Sequence, residues 1–554
     1  MKRLNGAEIA VRLIERQGIR TVAGIPGGAV LPLYDALARS RRLRHVLARH
    51  EQAAGFIAQG IARASGRCGV CIASSGPGAT NLLTAIADAK LDSIPLVAIT
   101  GQVPRAMIGT DAFQEVDTFG LSLPITKHNF LVASAEDLLH VIPSAFKIAI
   151  SGRPGPVLVD IPKDVQTELV EIGEWPAPGE PDAAPAVDAT GIARAAELIE
   201  AAARPVLYLG GGVVQSGAAP LALKLAERSS LPSVMTLMGL GAVAHDHRLA
   251  LGMLGMHGAR FTNLVLEESD LLIALGARFD DRATGKVAEF CPGAKVVHVD
   301  IDAAELNKLR HAEVALTGDV ATVLEELVPR LRPRGRRRWL ARVAELKRRH
   351  PLKTPGIETL TSPYGIVAAV AAAAGDDTLV TTDVGQHQMW VAQAYPLRRP
   401  RQLLTSGGLG TMGFGLPAAI GAALAAPRST VVCFSGDGSL LMNIQELATA
   451  AEQNVNVKVV LLDNGSLGLV HQQQTLFYGG RVFASKYRRP PDFLQIARGF
   501  GIDCLDLNDI ADAVPALASA LRRRGPVLIR AGVDANAQVL PMVPPGAANC
   551  EMIG

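Results

Sequence analysis

The sequence predicts an α/β protein with three doubly wound domains, each built on a parallel β-sheet that helices cover on both faces. Short apolar runs that end in Gly or Asp alternate with helical stretches along the whole chain, which is typical of such sheets. The 554 residues exceed what one core holds, since a domain has roughly 150 residues. The composition is 49% hydrophobic and 19% charged, which favours extensive burial over disorder.

The apolar runs predict the strands of these sheets. In chain order they are CGVCIASSG, IPLVAITG, GPVLVDIP, PVLYLGGG, DLLIALGAR, KVVHVDID, TLVTTDVG, TVVCFSGDG, VKVVLLDNG and GPVLIRAG. Ahead of them, residues 1–19 have the pattern of an amphipathic helix with charges throughout.

Two segments predict the domain boundaries. Residues 174–189 are rich in Pro and Ala, and an Arg-rich run leads into a loop-like stretch that ends near residue 363. We therefore expect an N-terminal domain at 1–172, a central domain at 188–335 and a C-terminal domain at 360–554.

The charge and cysteine content exclude some functions. The net charge is +3 from 55 basic and 52 acidic residues, which is too even to indicate a nucleic-acid partner. The basic run at 332–350 is interpreted as a solvated helix or linker. Cys68 and Cys71 form a CxxC in an extended run, where residues three apart point to opposite faces, so we expect buried thiols in a reducing cytosol.

No segment has the pattern of a signal peptide or a membrane span. The longest uncharged run, 403–427, is long enough to cross a membrane, but glycines and Pro417 interrupt it. We expect a cytoplasmic protein without membrane contact.

A metal site is predicted at the end of two strands. The turn Gly436-Asp437-Gly438 follows one strand and precedes a helix, so its N–H groups can face a phosphate while Asp437 offers a hard oxygen. Asn464 ends the next strand, and adjacent parallel strands would bring both side chains to one edge. With the backbone carbonyl of Ser466, two diphosphate oxygens and a water, they would complete an octahedral Mg²⁺ site.

This pair of turns resembles the diphosphate-binding motif of thiamine-diphosphate enzymes. The usual motif ends in Asn-Asn, whereas Asp463 precedes Asn464 here. Such enzymes need a Glu on the aminopyrimidine ring to promote proton removal from the thiazolium carbon, and Glu51 at the start of an apolar helix fits. A Glu in a first helical turn is by itself only a favourable dipole interaction. In this superfamily the site lies between two chains, which implies a homodimer or homotetramer.

Longer motifs extend the resemblance over the whole chain. They include SSGPGATNLLTAIADAKLDSIPLVAITGQVP, MIGTDAFQEVD, GARFDDRATGK and TSGGLGTMGFGLPAAIGAALA, and they are similar to the acetohydroxyacid synthase (acetolactate synthase) catalytic large subunits, above all to the bacterial type I class. The resemblance implies decarboxylation of pyruvate and condensation with a second pyruvate or 2-oxobutanoate, the first common step of valine, leucine and isoleucine biosynthesis. It also implies thiamine diphosphate, Mg²⁺, FAD and a small regulatory subunit.

The same resemblance implies a role for individual residues. Gly28 and Gln114 would lie beside the reacting centre, Lys163 near the channel, and Arg282 of RFDDR on the carboxylate of the second ketoacid. Met412 would wedge between the two cofactor rings. The other residues implied for thiamine diphosphate are Val384, Gly385, Gln386, His387, Gly410 through its carbonyl, Gly438, Ser439, Asn464, Gly468 and Leu469. Those implied for FAD are Gly211, Gly212, Leu237, Met238, His257, Arg278, Asp300 and Asp319.

One position in the acceptor pocket departs from the family. The usual sequence is RQWQ, whereas this chain has HQQQ, so Gln473 replaces a tryptophan that favours 2-oxobutanoate by about 1–3 kcal/mol. We therefore expect a weak preference between the two acceptors.

Three alternatives remain open on the sequence. A FAD-dependent pyruvate oxidase has the same architecture, but RFDDR argues against it. A nicotinamide dehydrogenase is suggested by a GxGxxG at Gly408, Gly410 and Gly413, but the acid expected about 20 residues later is missing. A non-catalytic scaffold is disfavoured because the base and the metal ligands are all present.

Overall fold

The computed structural model describes residues 2–554 and contains three parallel six-stranded sheets flanked by helices. The predicted fold class is confirmed. Every apolar run predicted as a strand forms a strand of one of these sheets. The strands that the prediction missed are mostly short or at sheet edges. The predicted domain boundaries stay a prediction, and each of the three sheets lies within one of the predicted ranges.

The N-terminal sheet has the strand order β3-β2-β4-β5-β7-β6. The strands of this part of the chain are β1 Lys2–Asn5, β2 Thr21–Gly24, β3 Arg44–Leu47, β4 Gly69–Ala73, β5 Leu96–Gln102, β6 His128–Leu131, β7 Pro156–Pro162 and β8 Leu169–Ile172. The helices are α1 Gly6–Arg16, α2 Leu31–Ala38, α3 Glu51–Ser65, α4 Pro77–Leu91, α5 Thr118–Ser122, α6 Leu138–Ile150 and α7 Lys163–Thr167.

The central sheet has the order β11-β10-β9-β12-β13-β14. Its strands are β9 Pro205–Leu209, β10 Ser233–Met235, β11 Ala250–Met253, β12 Leu271–Leu275, β13 Lys295–Asp300 and β14 Val314–Thr317. The helices are α8 Ala189–Ala201, α9 Gly211–Gln215, α10 Ala219–Ser229, α11 Arg260–Glu267, α12 Asp281–Thr284, α13 Val320–Arg330 and α14 Arg337–Arg349.

The C-terminal sheet has the order β16-β15-β17-β18-β20-β19. Its strands are β15 Leu379–Thr382, β16 Leu403–Leu404, β17 Val431–Gly436, β18 Val457–Asp463, β19 Asp503–Asp506 and β20 Val527–Gly532. The helices are α15 Pro363–Ala374, α16 Gln386–Ala394, α17 Gly415–Ala425, α18 Asp437–Met442, α19 Glu446–Gln453, α20 Gly468–Phe477, α21 Phe493–Gly499 and α22 Ala513–Arg522.

The N-terminal segment differs from its prediction. Strand β1 pairs antiparallel with β8, so the amphipathic helix begins only at Gly6. Asn5 ends the strand and caps the helix, because its side chain accepts from the N–H of Glu8 at 2.8 Å while the Glu8 carboxylate accepts from the N–H of Asn5. The helical periodicity of the segment did not reveal that β1 forms a strand and pairs with β8.

The basic run forms a helix that packs on the central domain. In α14 the side chains of Trp339, Val343 and Leu346 are buried, and the indole N–H of Trp339 donates to the carbonyl of Pro205 at 3.0 Å. The arginines on the outer face include Arg342, which forms ion pairs with Glu268 and Glu345. The run therefore forms a helix, one of the two forms expected, but its inner face is packed on the central domain and only its outer face is solvated.

The two cysteines of the CxxC lie in different layers of the core. Cys71 packs in the cluster between the N-terminal and C-terminal sheets, while Cys68 packs with the helices on the other face. Burial raises the pKa of both thiols, and neither forms a disulfide. The prediction of buried thiols is confirmed.

The long uncharged run at 403–427 does not form one continuous helix. It contains β16, a loop and α17, which is 11 residues long. Within residues 2–554, no helix has the length and apolarity needed to cross a membrane.

Helix α3 of the N-terminal domain and helix α17 of the C-terminal domain pack so closely that their backbones are in contact. A Cβ added to Gly60 would lie 2.2 Å from the carbonyl oxygen of Ala418, and one added to Gly421 would lie 2.0 Å from that of Ile57. Glycine is required at both positions because any side chain would collide with main chain, which cannot rotate away.

Substitution of Gly60 by alanine is expected to destabilise the protein, because the added methyl forces the two helices apart. We expect a loss of about 1–3 kcal/mol, measured as a lower thermal unfolding midpoint of the full chain. Gly499→Ala is the matched control, since a Cβ at this helical position meets no atom within 4 Å. Equal midpoints for the two variants would show that the helices do not need this close approach.

Candidate active site

The ends of β17 and β18 bring the predicted metal ligands together. Their register pairs Gly436 with Leu462, so Asp437 and Asn464 both leave the sheet at the same edge. The N–H of Ser466 lies between them and donates to Asp437 Oδ2 at 3.0 Å and to Asn464 Oδ1 at 3.1 Å. One donor thus holds both side-chain oxygens in the same small region.

The departure at Asp463 is balanced by an arginine. Arg530 Nε lies 2.7 Å from Asp463 Oδ2, and its Nη1 lies 2.8 Å from Asp506 Oδ2. Burial raises the pKa of Asp437 to about 6, and the carboxylate of Asp463 adds to the rise. A divalent cation on Asp437 would stabilise its charged form, so the acidic surroundings suit a metal.

A cleft that is partly open to solvent surrounds these ligands at the carboxyl edge of the C-terminal sheet. All residues predicted for thiamine diphosphate except Gly410 line it, namely Val384, Gly385, Gln386, His387, Met412, Gly438, Ser439, Asn464, Gly468 and Leu469, together with the predicted metal ligands Asp437 and Ser466. The sequence reasoning missed Trp390, Leu467 and Val470, which also line the cleft. The helical spacing of Leu467 and Val470 was the one signal that could have indicated them.

The walls of the cleft contain closely packed glycines and a buried histidine. A Cβ on Gly438 would lie 2.5 Å from Leu467 Cδ2, and one on Gly468 would lie 2.1 Å from Gln386 Oε1, so a larger residue at either position would require these side chains to move. Burial lowers the pKa of His387 to about 3, which keeps its ring neutral. Its Nε2 is buried and has no hydrogen-bond partner among residues 2–554, and so a polar group in the cleft could engage it.

The predicted base lies in a second, N-terminal half of the site. Glu51 starts α3, and its carboxylate accepts from Asn81 Nδ2 at 2.9 Å. Gln114 has φ +59° and its backbone lies against Gly76, beside the start of α4. None of these residues lines the cleft, so a single chain does not bring the base and the metal ligands into one cavity.

Three other predicted residues also lie outside the cleft. A Cβ on Gly28 would meet no atom within 4 Å, and Lys163 is exposed at the start of α7. Arg282 is exposed on α12, with Asp281 at 3.5 Å as its ion-pair partner.

The residues predicted for FAD fall into two groups. Gly211 and Gly212 begin α9, where a Cβ on Gly212 would lie 2.6 Å from Gly276 Cα and one on Gly211 would lie 3.2 Å from Met238 Cβ. Leu237 begins the short turn Leu237–Gly239, and Arg278 follows β12. These residues lie beyond the carboxyl ends of β9, β10 and β12, where the glycines allow neighbouring backbone segments to pack closely.

The other residues predicted for FAD are Asp300, Asp319 and His257. Asp300 ends β13, and burial raises its pKa to about 6, whereas Asp319 caps α13 through the N–H groups of Ala321 and Thr322. His257 faces a separate cavity between the central and C-terminal domains, where its Nδ1 lies 3.2 Å from the carbonyl of Pro541. Burial lowers its pKa to about 4.

The three consecutive glutamines on α20 have different contacts. Gln472 Oε1 accepts from Gln386 Nε2 at 3.0 Å and from the N–H of Val539 at 2.9 Å. Gln474 Oε1 accepts from the hydroxyl of Ser485 at 2.7 Å. Gln473 is half-buried, and no hydrogen bond involves its side chain among the described residues. The side chains of Gln472 and Gln474 therefore hold α20 in place by hydrogen bonds, whereas that of Gln473 does not.

Family models match all three domains. Residues 4–121 match the thiamine pyrophosphate enzyme N-terminal TPP binding domain, 192–327 the central domain and 383–531 the C-terminal TPP binding domain. The acetolactate synthase isozyme 1 large subunit of Escherichia coli (strain K12) is 60% identical over 553 residues, which cover 100% of this chain and 98% of the relative. The chain belongs to the acetolactate synthase large subunits. This membership confirms the predicted resemblance.

Other acetolactate synthase large subunits are similar over the same extent. The isozyme 2 large subunit of Escherichia coli (strain K12) is 49% identical, with 99% of each chain covered. The acetolactate synthase large subunit of Mycobacterium tuberculosis (strain CDC 1551 / Oshkosh) is 48% identical, with 100% of this chain and 92% of the relative covered. The acetolactate synthase family is thus matched by full-length relatives as well as by domain models.

Removal of the Gln472 side chain is expected to loosen the C-terminal segment around Val539, because Gln472→Ala removes two hydrogen bonds to that residue's backbone. We expect a stability loss of about 1–3 kcal/mol and faster amide hydrogen exchange in the peptide that contains Val539. Gln473→Ala is the matched control on the same helix and should leave exchange at Val539 unchanged. If both variants exchange like the unmodified protein, the contact does not hold this segment.

Proposed function

We propose that this chain is the catalytic subunit of an acetolactate synthase. It decarboxylates pyruvate and joins the remaining two-carbon unit to a second pyruvate or to 2-oxobutanoate, the first common step of valine, leucine and isoleucine biosynthesis. The observation that supports this most is the convergence of Asp437, Asn464 and Ser466 in a glycine-walled cleft of a chain from this family.

In this proposal Asp437, Asn464 and the carbonyl of Ser466 hold Mg²⁺, which binds the diphosphate of thiamine diphosphate. When bound, the cofactor supplies a carbon nucleophile that adds to a ketone and an electron sink for decarboxylation. The glycines of the cleft and the neutral His387 would hold the diphosphate end. Met412 and the carbonyl of Gly410 would hold the two rings, and thereby position them for proton transfer.

We infer that the working form is a homodimer or homotetramer with each site between two chains. Glu51 does not line the cleft of its own chain, so Glu51 of a second copy is proposed to reach it. There its carboxyl group would exchange a proton with the ring nitrogen of the aminopyrimidine. Gly28, Gln114 and Lys163 are carried by the same N-terminal domain and would arrive with it.

FAD is proposed to bind in the central domain. Gly211 and Gly212 begin α9 at the carboxyl end of β9, where backbone N–H groups can face a phosphate, and Arg278 can pair with an anion. Leu237, Asp300 and Asp319 would complete this site, whereas His257 would contribute from the neighbouring cavity. The flavin has no net redox role in the proposed reaction.

The acceptor pocket is proposed to include Arg282 and Gln473. The guanidinium of Arg282 is exposed and can bind the carboxylate of the second ketoacid with two hydrogen bonds. Gln473 has no side-chain hydrogen bond among residues 2–554 and lacks the broad apolar surface of an indole, so the extra methylene of 2-oxobutanoate would gain little from it.

A small regulatory subunit and a cytoplasmic location complete the proposal. The relatives are named large subunits, which supports a smaller partner for this chain too. A pyruvate oxidase remains less well supported, because the family comparison and the RFDDR segment both favour the synthase.

The product ratio tests this function. Protein with thiamine diphosphate, Mg²⁺, FAD and equal pyruvate and 2-oxobutanoate should form acetolactate and acetohydroxybutyrate with little preference. Gln473→Trp should shift the ratio towards acetohydroxybutyrate by roughly 5- to 150-fold, which corresponds to about 1–3 kcal/mol. Acetate or acetyl phosphate as the product would instead indicate an oxidase, and a strong acceptor preference in the unmodified protein would contradict the role of Gln473.

A mixing experiment tests the shared site. Glu51→Gln and Asp437→Ala should each be inactive, but co-expression should restore about a quarter of the activity, since half of the randomly formed dimers contain one intact site. Acetolactate formation by the co-purified mixture is the measurement. Mixing of either inactive variant with itself is the control, and no recovery in the mixed sample would place base and metal in one chain.

A further inference from the structure

A buried ionic cluster joins the N-terminal domain to the loop that precedes α17. Its members are Arg63 on α3, Asp88 on α4 and Asp92 directly after α4. The side chains of both aspartates are 0% exposed and that of Arg63 is 5% exposed. Arg63 Nη2 donates to Asp92 Oδ2 at 2.8 Å and to Asp88 Oδ1 at 3.1 Å. One guanidinium therefore serves two carboxylates, which leaves further acceptor capacity for other donors.

Asp92 uses that capacity on the backbone of the loop. Its Oδ2 accepts from the N–H of Gly407 at 3.0 Å, and its Oδ1 accepts from the N–H of Gly408 at 2.7 Å. A Cβ on Gly408 would lie 3.1 Å from Asp92 Oδ1, so the backbone approaches the carboxylate closely. Two consecutive amides held by one carboxylate fix the direction in which the chain leaves Gly408.

Asp88 and Arg63 hold the same loop at other points. Asp88 Oδ2 accepts from the hydroxyls of Ser406 and Thr411, the latter at 2.9 Å. The Thr411 N–H in turn donates to Ser406 Oγ at 2.8 Å, which closes the loop on itself. Arg63 Nη1 donates to the carbonyl of Thr405 at 2.9 Å.

The far end of the loop is held within its own domain. Asp383 accepts from the N–H of Gly413 at 2.8 Å and from that of Gly415 at 3.1 Å. Asn443 Nδ2 donates to the carbonyl of Gly413 at 2.7 Å. Between Gly408 and Gly413, Thr411 is held by Asp88 and Ser406, whereas Leu409, Gly410 and Met412 take part in none of these contacts. Gly410 is exposed and has φ +67°.

The contacts are reciprocal, because the loop also completes the cluster. Without the amides of Gly407 and Gly408, Asp92 would be a buried carboxylate with fewer donors than its charge requires. A changed loop conformation is therefore costly, and the cluster selects the observed one.

We propose that Asp88, Asp92 and Arg63 are positioning residues that set the shape of the turn at 409–412, and thereby the placement of the Gly410 carbonyl and the Met412 side chain against the cofactor rings. This inference rests on the proposed thiamine-diphosphate site. It assigns to the N-terminal domain of the same chain a task separate from that of Glu51, which acts on the site of a second copy.

A cluster that served only to join the domains would affect stability alone. A positioning cluster should change the alignment of the two rings while leaving the diphosphate cleft intact. The exchange of the thiazolium C2 proton with deuterated water reports on that alignment, because it depends on the bent arrangement of the rings. Trp390 lines the cleft, so quenching of tryptophan fluorescence reports on cofactor affinity independently.

The experiment compares the full-length unmodified protein with Asp92→Asn, each with thiamine diphosphate and Mg²⁺. We expect C2-proton exchange, followed by NMR after acid quench, to slow by about 10-fold or more, because a small misplacement of reacting groups has effects of this size. The dissociation constant for the cofactor should rise by less than about 3-fold, since the diphosphate contacts are unchanged. An exchange rate equal to that of the unmodified protein would overturn the inference.

Glu305→Gln is the control for interdomain burial. Glu305 is 6% exposed and pairs with Arg153 of the N-terminal domain at 2.8 Å, and it has no hydrogen bond to residues 405–411. This variant should exchange the C2 proton at the unmodified rate, and equal slowing in both variants would reduce the cluster to a structural role.

A milder pair of variants covers the case in which Asp92→Asn fails to fold. Thr411→Val removes the hydroxyl that reaches Asp88, whereas Thr411→Ser keeps it. Slow exchange in the first and the unmodified rate in the second would support the inference, and equal rates would overturn it. Acetolactate formation by the unmodified protein is measured in parallel, so that loss of the proposed function is distinguished from loss of the positioning effect.

Discussion

The register between β17 and β18 is the constraint on which the site depends. The two strands are parallel, and Gly436 is paired with Leu462. Both strands therefore end at the same edge of the sheet. A slip of one residue would turn the side chains of one strand to the opposite face and separate Asp437 from Asn464. Because the sheet already places Asp437 and Asn464 close together, the single N–H of Ser466 can donate to both side chains.

The sequence was sufficient for most inner strands, though not for β2 and β10, and for the prediction that Asp437 and Asn464 lie at one sheet edge. Runs such as VKVVLLD are apolar throughout because both faces of a parallel sheet are covered, and their ends mark the catalytic edge. Edge strands were missed since β16 has two residues and β3 is only partly buried, so neither has a recognisable period. The Arg63 cluster could not be predicted, because Arg63 meets Thr405 across 342 residues and its charge is unremarkable on a helix.

Asp463 shows how a departure from a family motif has to be judged in space. An unpaired carboxylate next to Asp437 would repel it in a poorly solvated site. Arg530, on the neighbouring strand β20, lies against Asp463 and Asp506 and supplies the opposite charge. The motif position and its counter-ion are 67 residues apart, so the local pattern alone showed the change and not its compensation.

Because the side chain of Gln473 has no hydrogen bond within residues 2–554, the proposed selectivity of the enzyme and the stability of helix α20 depend on different residues. Its neighbours on α20 hold the helix to Val539 and to Ser485 whatever residue stands between them. Under the proposed role of Gln473, mutations at this one position would alter acceptor selectivity without first breaking the hydrogen bonds that hold the helix. Under the same proposal, a lineage could adjust the ratio of its two acetohydroxyacid products by single-residue steps at this position.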